Sequence, residues 1–365
     1  MAGVDLPVMP PVPPMLATSV AAIPDTPGML FEPKWDGYRC LVFRDGDEVL
    51  LQSRSGKPLT RYFPEALDAL RAGLPRRCVL DGELVIAVGD RLSFDALSER
   101  VHPAASRIRA LAESSPASYV AFDLLAIEDV VVLELPFAQR RDALEQVLPG
   151  GPRVHLTPVT DSPATARRWF TLFEGAGLDG LVGKSADAPY SPGKRTMVKI
   201  KHTRTADCVL AGFRWHAAEE PGDAVGSLLL GLHDEHGVLH HVGVVGAFPA
   251  ARRRALVAEL APLRERATDA HPWLGAHAAD GRRVPGGENR WRAGEQPWEP
   301  LRPERVLEVG YEHTEGTHPA RFRQNAHFQR WRPDRDPASC CYDQLDEPAR
   351  YDLGAVLHGE VRTVP

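Results

Sequence analysis

Six lysines stand among the 43 basic residues of this chain: Lys34, Lys57, Lys184, Lys194, Lys199 and Lys201. Where only positive charge is needed arginine can often stand in for lysine, but only lysine can become a neutral amine at working pH. A lysine kept in an arginine-rich chain is therefore a hint of amine chemistry. The first lies in FEPKWDGYR, residues 31–39, with Asp36 and Gly37 just behind it. A neutral amine can attack the α-phosphate of a nucleotide. Asp36 would hold the turn or orient the amine, and Gly37 would allow a tight backbone beside a ligand. MVKIKH, residues 197–202, sets Lys199 and Lys201 at alternate positions of a strand. Both ammonium groups then face one side, which suits a phosphate clamp.

The charge distribution agrees with a polyphosphate partner better than the total does. The formal net charge is −6, yet six basic residues between Lys184 and Arg204 meet only Asp187, and five arginines between Arg321 and Arg335 meet only Asp334. Segregated charge of this kind attracts polyanions in spite of an acidic total. Five cysteines, at 40, 78, 208, 340 and 341, show no C-x-x-C spacing and read as ordinary reduced thiols. No apolar run reaches membrane-spanning length, and MAGVDLPVMPPVPPML lacks the basic start and continuous apolar stretch of a signal peptide. A cytoplasmic protein at the nucleoid, with no membrane partner, is expected.

The elements that must position these residues read as α+β. CLVFRDGDEVLLQSR alternates around an Asp-Gly turn and predicts a hairpin, as does VLDGELVIAVGDRLSF. Helical spacing appears in YFPEALDALRAG, FAQRRDALEQVL and SPATARRWFTLFEGAG, with the short apolar runs YVAFDLLAI and LVGK among them. A largely antiparallel sheet system follows. Beyond TMVKIKH, the strands VLAGFRW, GSLLLGLHD, VLHHVGVVG and RVLEVGYEH surround one helix, ARRRALVAELAPLRER. Few strands with one helix between them suit a small closed barrel such as an OB-fold. The expected division is residues 1–203, residues 204–337 and a C-terminal tail of 338–365. Residues 268–303, with Trp291 and Trp298, read as a long loop packed by its own tryptophans.

In order along the chain, these motifs resemble those of the covalent nucleotidyltransferase superfamily, and within it the ATP-dependent DNA ligases of the small bacterial ligase C type. The resemblance spans residues 13–337. The signature E-x-K-x-D-G stands as Glu32, Lys34, Asp36 and Gly37, closed by Arg39. It implies an adenylation domain followed by an OB-fold, with a covalent lysyl-AMP on Lys34. SRSGK supplies Arg54, implied to touch the nucleotide or the nick phosphate. LDGEL supplies Glu83, similar to the family carboxylate near the ribose and metal, and AFDLL supplies Phe122, implied to stack on adenine. In LDGLVGK, Asp179 replaces the usual metal-site glutamate, one methylene shorter, and Lys184 matches. MVKIKH carries Lys199 and Lys201, with Met197 where the family usually has tryptophan. RPDR resembles the barrel motif R-x-D-K, giving Arg332 and Arg335, the latter in place of lysine.

The resemblance implies ATP with Mg2+ (or Mn2+), nicked duplex DNA as substrate, and a gap-filling primase-polymerase or an end-joining factor as partner. It also implies a hinge near residue 203, about which the barrel closes for adenylation and swings for sealing. Three other readings share some of these features: a capping-type guanylyltransferase, an RNA ligase, and a non-catalytic repair scaffold. Glu32 leans against guanine, because an acceptor suits the N6 amine of adenine and would repel O6.

Overall fold

The computed structural model describes residues 3–102, 104–148, 151–269, 271–274, 282–286, 297–316, 319–345 and 350–357. The chain divides into two compact units, one of residues 1–202 with 347–365, the other of residues 203–346. The first contains β1 (Leu16–Ser19), β2 (Met29–Pro33), β3 (Tyr38–Asp45), β4 (Glu48–Ser53), β5 (Arg77–Val85), β6 (Ser118–Ile127), β7 (Val154–Leu156), β8 (Gly180–Ser185) and β9 (Arg195–Lys201). Its main helices are α1 (Pro64–Gly73), α2 (Ala105–Ser114), α3 (Phe137–Val147) and α4 (Pro163–Phe173).

These strands form two sheets, ordered β1-β9-β8-β2 and β7-β6-β5-β3-β4. Only the β1/β9 and β7/β6 pairs are parallel. The run Cys40-Leu41-Val42-Phe43 shows why β3 is central. Cys40 and Val42 pack toward Phe63 and Leu70 of the α1 region, whereas Leu41 and Phe43 pack toward Val4, Leu6 and Met15 of the N-terminal segment. A period of two that is apolar in both phases specifies a strand buried on both faces. Each such side chain contributes about 1.5–3 kcal/mol by burial. Met197 belongs to the same core at 5% exposure. Helix α4 is fixed at its start by Ser162, whose hydroxyl accepts from the Thr165 N–H at 3.3 Å. It buries Ala166, Trp169 and Phe173, an i, i+3, i+7 stripe.

The β3–β4 hairpin turns at Gly46–Asp47, with Gly46 at φ +62°. The second hairpin expected from the sequence is much smaller. Residues 79–85 belong to β5, which pairs with β3 and β6, and only Ala87–Val88 and Arg91–Leu92 form a ribbon. Burial of Val79, Leu80 and Leu84 from both sides commits this run to the sheet interior.

The second unit contains β10 (Arg204–Trp215), β11 (Val225–His233), β12 (Leu239–Val245), β13 (Glu299–Tyr311), β14 (His327–Trp331) and helix α5 (Ala250–Arg264). The strand order is β12-β11-β10-β13-β14. A bridge from Val245 to Ala326, whose N–H donates to Val244 O at 2.9 Å, joins the two edges and closes the barrel. Leu256 and Leu260 of α5 enter its core.

The described parts of residues 268–303 depart from the expected plain loop. Trp273 is 2% exposed, its ring lies 5.9 Å from that of Trp298, and β13 already begins at Glu299. Trp291 lies outside the described residues. The residues set apart as a tail divide between the units. Cys340 is in the barrel core, while Tyr351, Leu353 and Val356 pack with Trp169 and Phe173 of the first unit. Three apolar residues in a short stretch give no periodicity from which to read this. Among the described residues no helix is long and apolar enough to cross a membrane.

Candidate active site

Lys34 directly follows β2 and is fixed through its backbone. Its N–H donates to Gly180 O at 2.9 Å, and its carbonyl accepts from Asp179 N–H at 2.9 Å. The next residue anchors the turn: Trp35 is buried and its Nε1 donates to Thr157 Oγ1 at 2.9 Å. The Lys34 ammonium pairs with the carboxylate of Asp179, which also receives Lys201 at 3.4 Å. Lys34 keeps 22% of its side chain exposed against 4% for Asp179, so the amine is the accessible member of the pair.

Gly180 sits at φ +127°, and a Cβ there would lie 2.0 Å from Ile200 O. Gly37 is equally constrained, since its Cβ would lie 2.2 Å from Leu84 O. The tight backbone at Gly37 thus serves the crossing of β5 against the start of β3. The Asp-Gly pairs of two motifs are packing devices that bring their strands close enough to share one site.

Register places the remaining groups. Glu32 pairs with Val182 and Val182 with Lys199, so three strands set these residues in one row. Lys184 is buried at 3% exposure, donating to Phe122 O at 3.0 Å and to Glu32 Oε2 at 2.8 Å. Its ammonium lies 4.9 Å from the Phe122 ring centre and 4.3 Å from that of Phe137. Glu32 Oε1 is buried without a hydrogen-bond partner, and Arg141 Nη1, 4.0 Å away, is likewise unbonded. Burial raises the Glu32 carboxyl above its usual pKa, opposed by Lys184 and Arg141.

On the neighbouring sheet Arg39 stands opposite Glu83. Its guanidinium grips Asp81 with two bonds, Nε at 2.6 Å and Nη2 at 2.5 Å, and lies 4.5 Å from the Phe122 ring centre. Tyr190 donates to the same Asp81 at 2.6 Å. The Glu83 carboxyl is pushed up to about 8 by burial, with Arg39 and Lys34 pulling down and Asp81 and Asp36 pushing up.

The structure therefore brings Glu32, Arg39, Glu83, Phe122, Lys184, Lys199 and Lys201 of the strands, with Lys34 and Asp179 at strand ends, together in one unit. Arg54 stands exposed on the turn after β4 and makes none of these bonds. Arg332 and Arg335 form a separate cluster with Asp207 in the second unit. Residues that sequence reasoning passed over are Trp35, Asp81, Phe137, Arg141, Thr157, Tyr190 and Asp207. Asp81 stood inside LDGEL and Trp35 beside Lys34, whereas the others lay outside any motif.

The fit to nucleotide and metal differs. The orphaned acceptor on Glu32, close to an aromatic face, matches the amine edge of a purine. Among the described residues no three His, Cys, Asp or Glu side chains gather as a metal cage. One or two carboxylates completed by substrate phosphates is how Mg2+ is ordinarily held, and Glu83 and Asp179, which both act on the Lys34 amine, have the chemistry for it.

Fold and site together define a nucleotidyltransferase unit joined to a small β-barrel. Residues 14–201 match the model of the ATP dependent DNA ligase domain, and residues 221–335 that of the ATP dependent DNA ligase C terminal region. The chain is 53% identical over 362 residues to DNA ligase C of Mycobacterium tuberculosis, covering 97% of this chain and 99% of that one. It is 56% identical over 351 residues to DNA ligase C2 of Mycolicibacterium smegmatis, covering 94% and 97%. A solved Lig E DNA ligase shares the fold, with a TM-score of 0.51 at 18% identity over 87% of this chain and 99% of that one. The chain belongs to the ATP-dependent DNA ligase family.

Proposed function

We propose that this ATP-dependent DNA ligase seals nicks between a 5′-phosphate and a 3′-hydroxyl in duplex DNA, carrying adenylate on Lys34. The observation that carries this reading is the clamp on Lys34: two reciprocal backbone bonds fix it, and its partly buried amine is held beside Asp179 and Lys201. The neutral Nζ attacks the α-phosphorus, the P–N bond forms as the P–O bond to pyrophosphate breaks, and the surplus amine proton passes to solvent. An oxygen of the DNA 5′-phosphate next takes the adenylate and breaks the P–N bond, restoring lysine. The 3′-hydroxyl then attacks the activated phosphorus, releasing AMP and forming the phosphodiester.

The residues divide this work by chemistry. Glu32 accepts from the adenine amine, Lys184 holds Glu32 in place, and Phe122 offers the ring on which the base stacks. Lys199, Lys201, Arg332 and Arg335 offset charge on the phosphates, and Arg39 and Arg54 contact nucleotide or nick phosphate. Glu83 and Asp179 would hold Mg2+, with Mn2+ as a substitute, and the ion would neutralise phosphate charge. The link at residues 202–203 is the hinge about which the barrel closes for adenylation and turns for sealing. We place the enzyme in the cytoplasm at the nucleoid, in DNA repair. A gap-filling primase-polymerase or an end-joining factor would supply its nicks.

The test is incubation of wild type and Lys34→Ala with α-labelled ATP or GTP, followed by denaturing separation. Label from ATP alone, acid-labile and lost in the variant, is the expected result. A Lys34→Ala protein that seals nicks as wild type does would remove the nucleophile from this assignment.

A further inference from the structure

The two motif arginines of the barrel converge on a carboxylate that their motif does not contain. Asp207 lies on β10 and is 9% exposed. Arg332 Nη1 donates to both of its oxygens at 3.0 Å, and Arg335 Nε lies 3.2 Å from Oδ2. The backbone of Asp207 is held as well: its N–H donates to Gln344 Oε1 at 2.8 Å, and its carbonyl accepts from Gln344 Nε2 at 2.9 Å.

The arginines are not equivalent. Arg332 directs its other donors to Asp334, Nε at 2.9 Å and Nη2 at 2.8 Å, and has Glu308 at 3.6 Å. Three carboxylates thus surround it. Arg335, with 37% of its side chain exposed, meets Asp207 only as an ion pair: its buried Nε is 3.2 Å from Oδ2 without hydrogen-bond geometry. A guanidinium is a rigid planar fork, so with its Nε edge drawn to Asp207 by charge its terminal amino groups lie on the side away from that carboxylate, able to meet another oxyanion. Two guanidiniums this close also repel, and the shared carboxylate offsets that repulsion.

We propose that Asp207 is a positioning residue that anchors Arg332 and orients Arg335 toward a terminal phosphate of the nucleoside triphosphate during lysine adenylation. This rests on the reading that residues 332–335 serve that step. Asp207 touches no substrate and acts only through the arginines.

The full-length protein, cleared of bound adenylate with pyrophosphate, is assayed in two steps: single-turnover labelling from α-labelled ATP, and sealing of a nick synthesised already adenylated. Asp207→Asn is expected to slow labelling at saturating ATP by at least about tenfold, the worth of a charge-assisted hydrogen bond. Asp207→Glu should recover most of that rate, and Asp207→Asn should seal the pre-adenylated nick within about twofold of wild type. Equal loss in both steps would mean that Asp207 only maintains the fold, and would overturn the proposal. So would wild-type labelling by Asp207→Asn where Arg335→Ala is slow. If Arg335→Ala labels normally, the adenylation role of residues 332–335 falls, and the proposal with it.

Discussion

Glu83 and Asp179 show how differently two carboxylates of one site can be set. Asp179, one methylene shorter than glutamate, meets the ammonium groups of Lys34 and Lys201. Glu83, half-buried opposite Arg39, has its carboxyl raised to about 8. A raised carboxyl pKa means that the folded protein holds a proton which the unfolded chain releases near its ordinary value of 4.5. Its contribution to stability is then whole below that value and is lost as pH rises through about 8. Urea midpoints of wild type and Glu83→Gln, measured without divalent cation at pH 5 and pH 9, should therefore diverge. The variant gains relative to wild type at the higher pH, and a constant difference would contradict the raised value. Met197 is quieter: at 5% exposure it fills the core beside Leu41 and Phe43, which is sufficient reason for an apolar side chain there.

At the scale of elements, the site exists because strands approach closely at Asp-Gly steps. Gly37→Ala places a methyl 2.2 Å from Leu84 O, a backbone atom that cannot turn aside. A loss of roughly 1–3 kcal/mol in unfolding free energy is expected, the usual range for overpacking, together with slower labelling of Lys34. Unchanged urea and labelling curves would show that β3 and β5 can separate freely. Such steps explain what was legible. The β3–β4 hairpin and helices α1, α3 and α4 could be read from periodicity because each buries a regular stripe. The motif residues around Lys34 could be read because their types are chemically unusual in their places. Arg141 and Tyr190 could not, since each acts through a contact far away in sequence, as when Tyr190 reaches Asp81 109 positions earlier. Asp207 was hidden in the same way, 125 positions from Arg332 and flanked by ordinary strand residues.

For the whole molecule, Tyr351, Leu353 and Val356 near the end of the chain are part of the first unit's core. The Tyr351 ring lies 5.6 Å from that of Phe173 in a tilted contact, and Val356 is fully buried. Val356→Ala should cost about 0.5–2 kcal/mol by loss of two buried methyl groups, and ending the chain at 346 should cost more. Urea unfolding followed by tryptophan fluorescence reads both, and an unaltered truncated protein would make the segment a mere appendage. The chain leaves the first unit at His202 and returns to it after Asp346, so in topology the barrel is an insert with two attachments. Cutting the chain at either junction would leave one covalent link where there are now two.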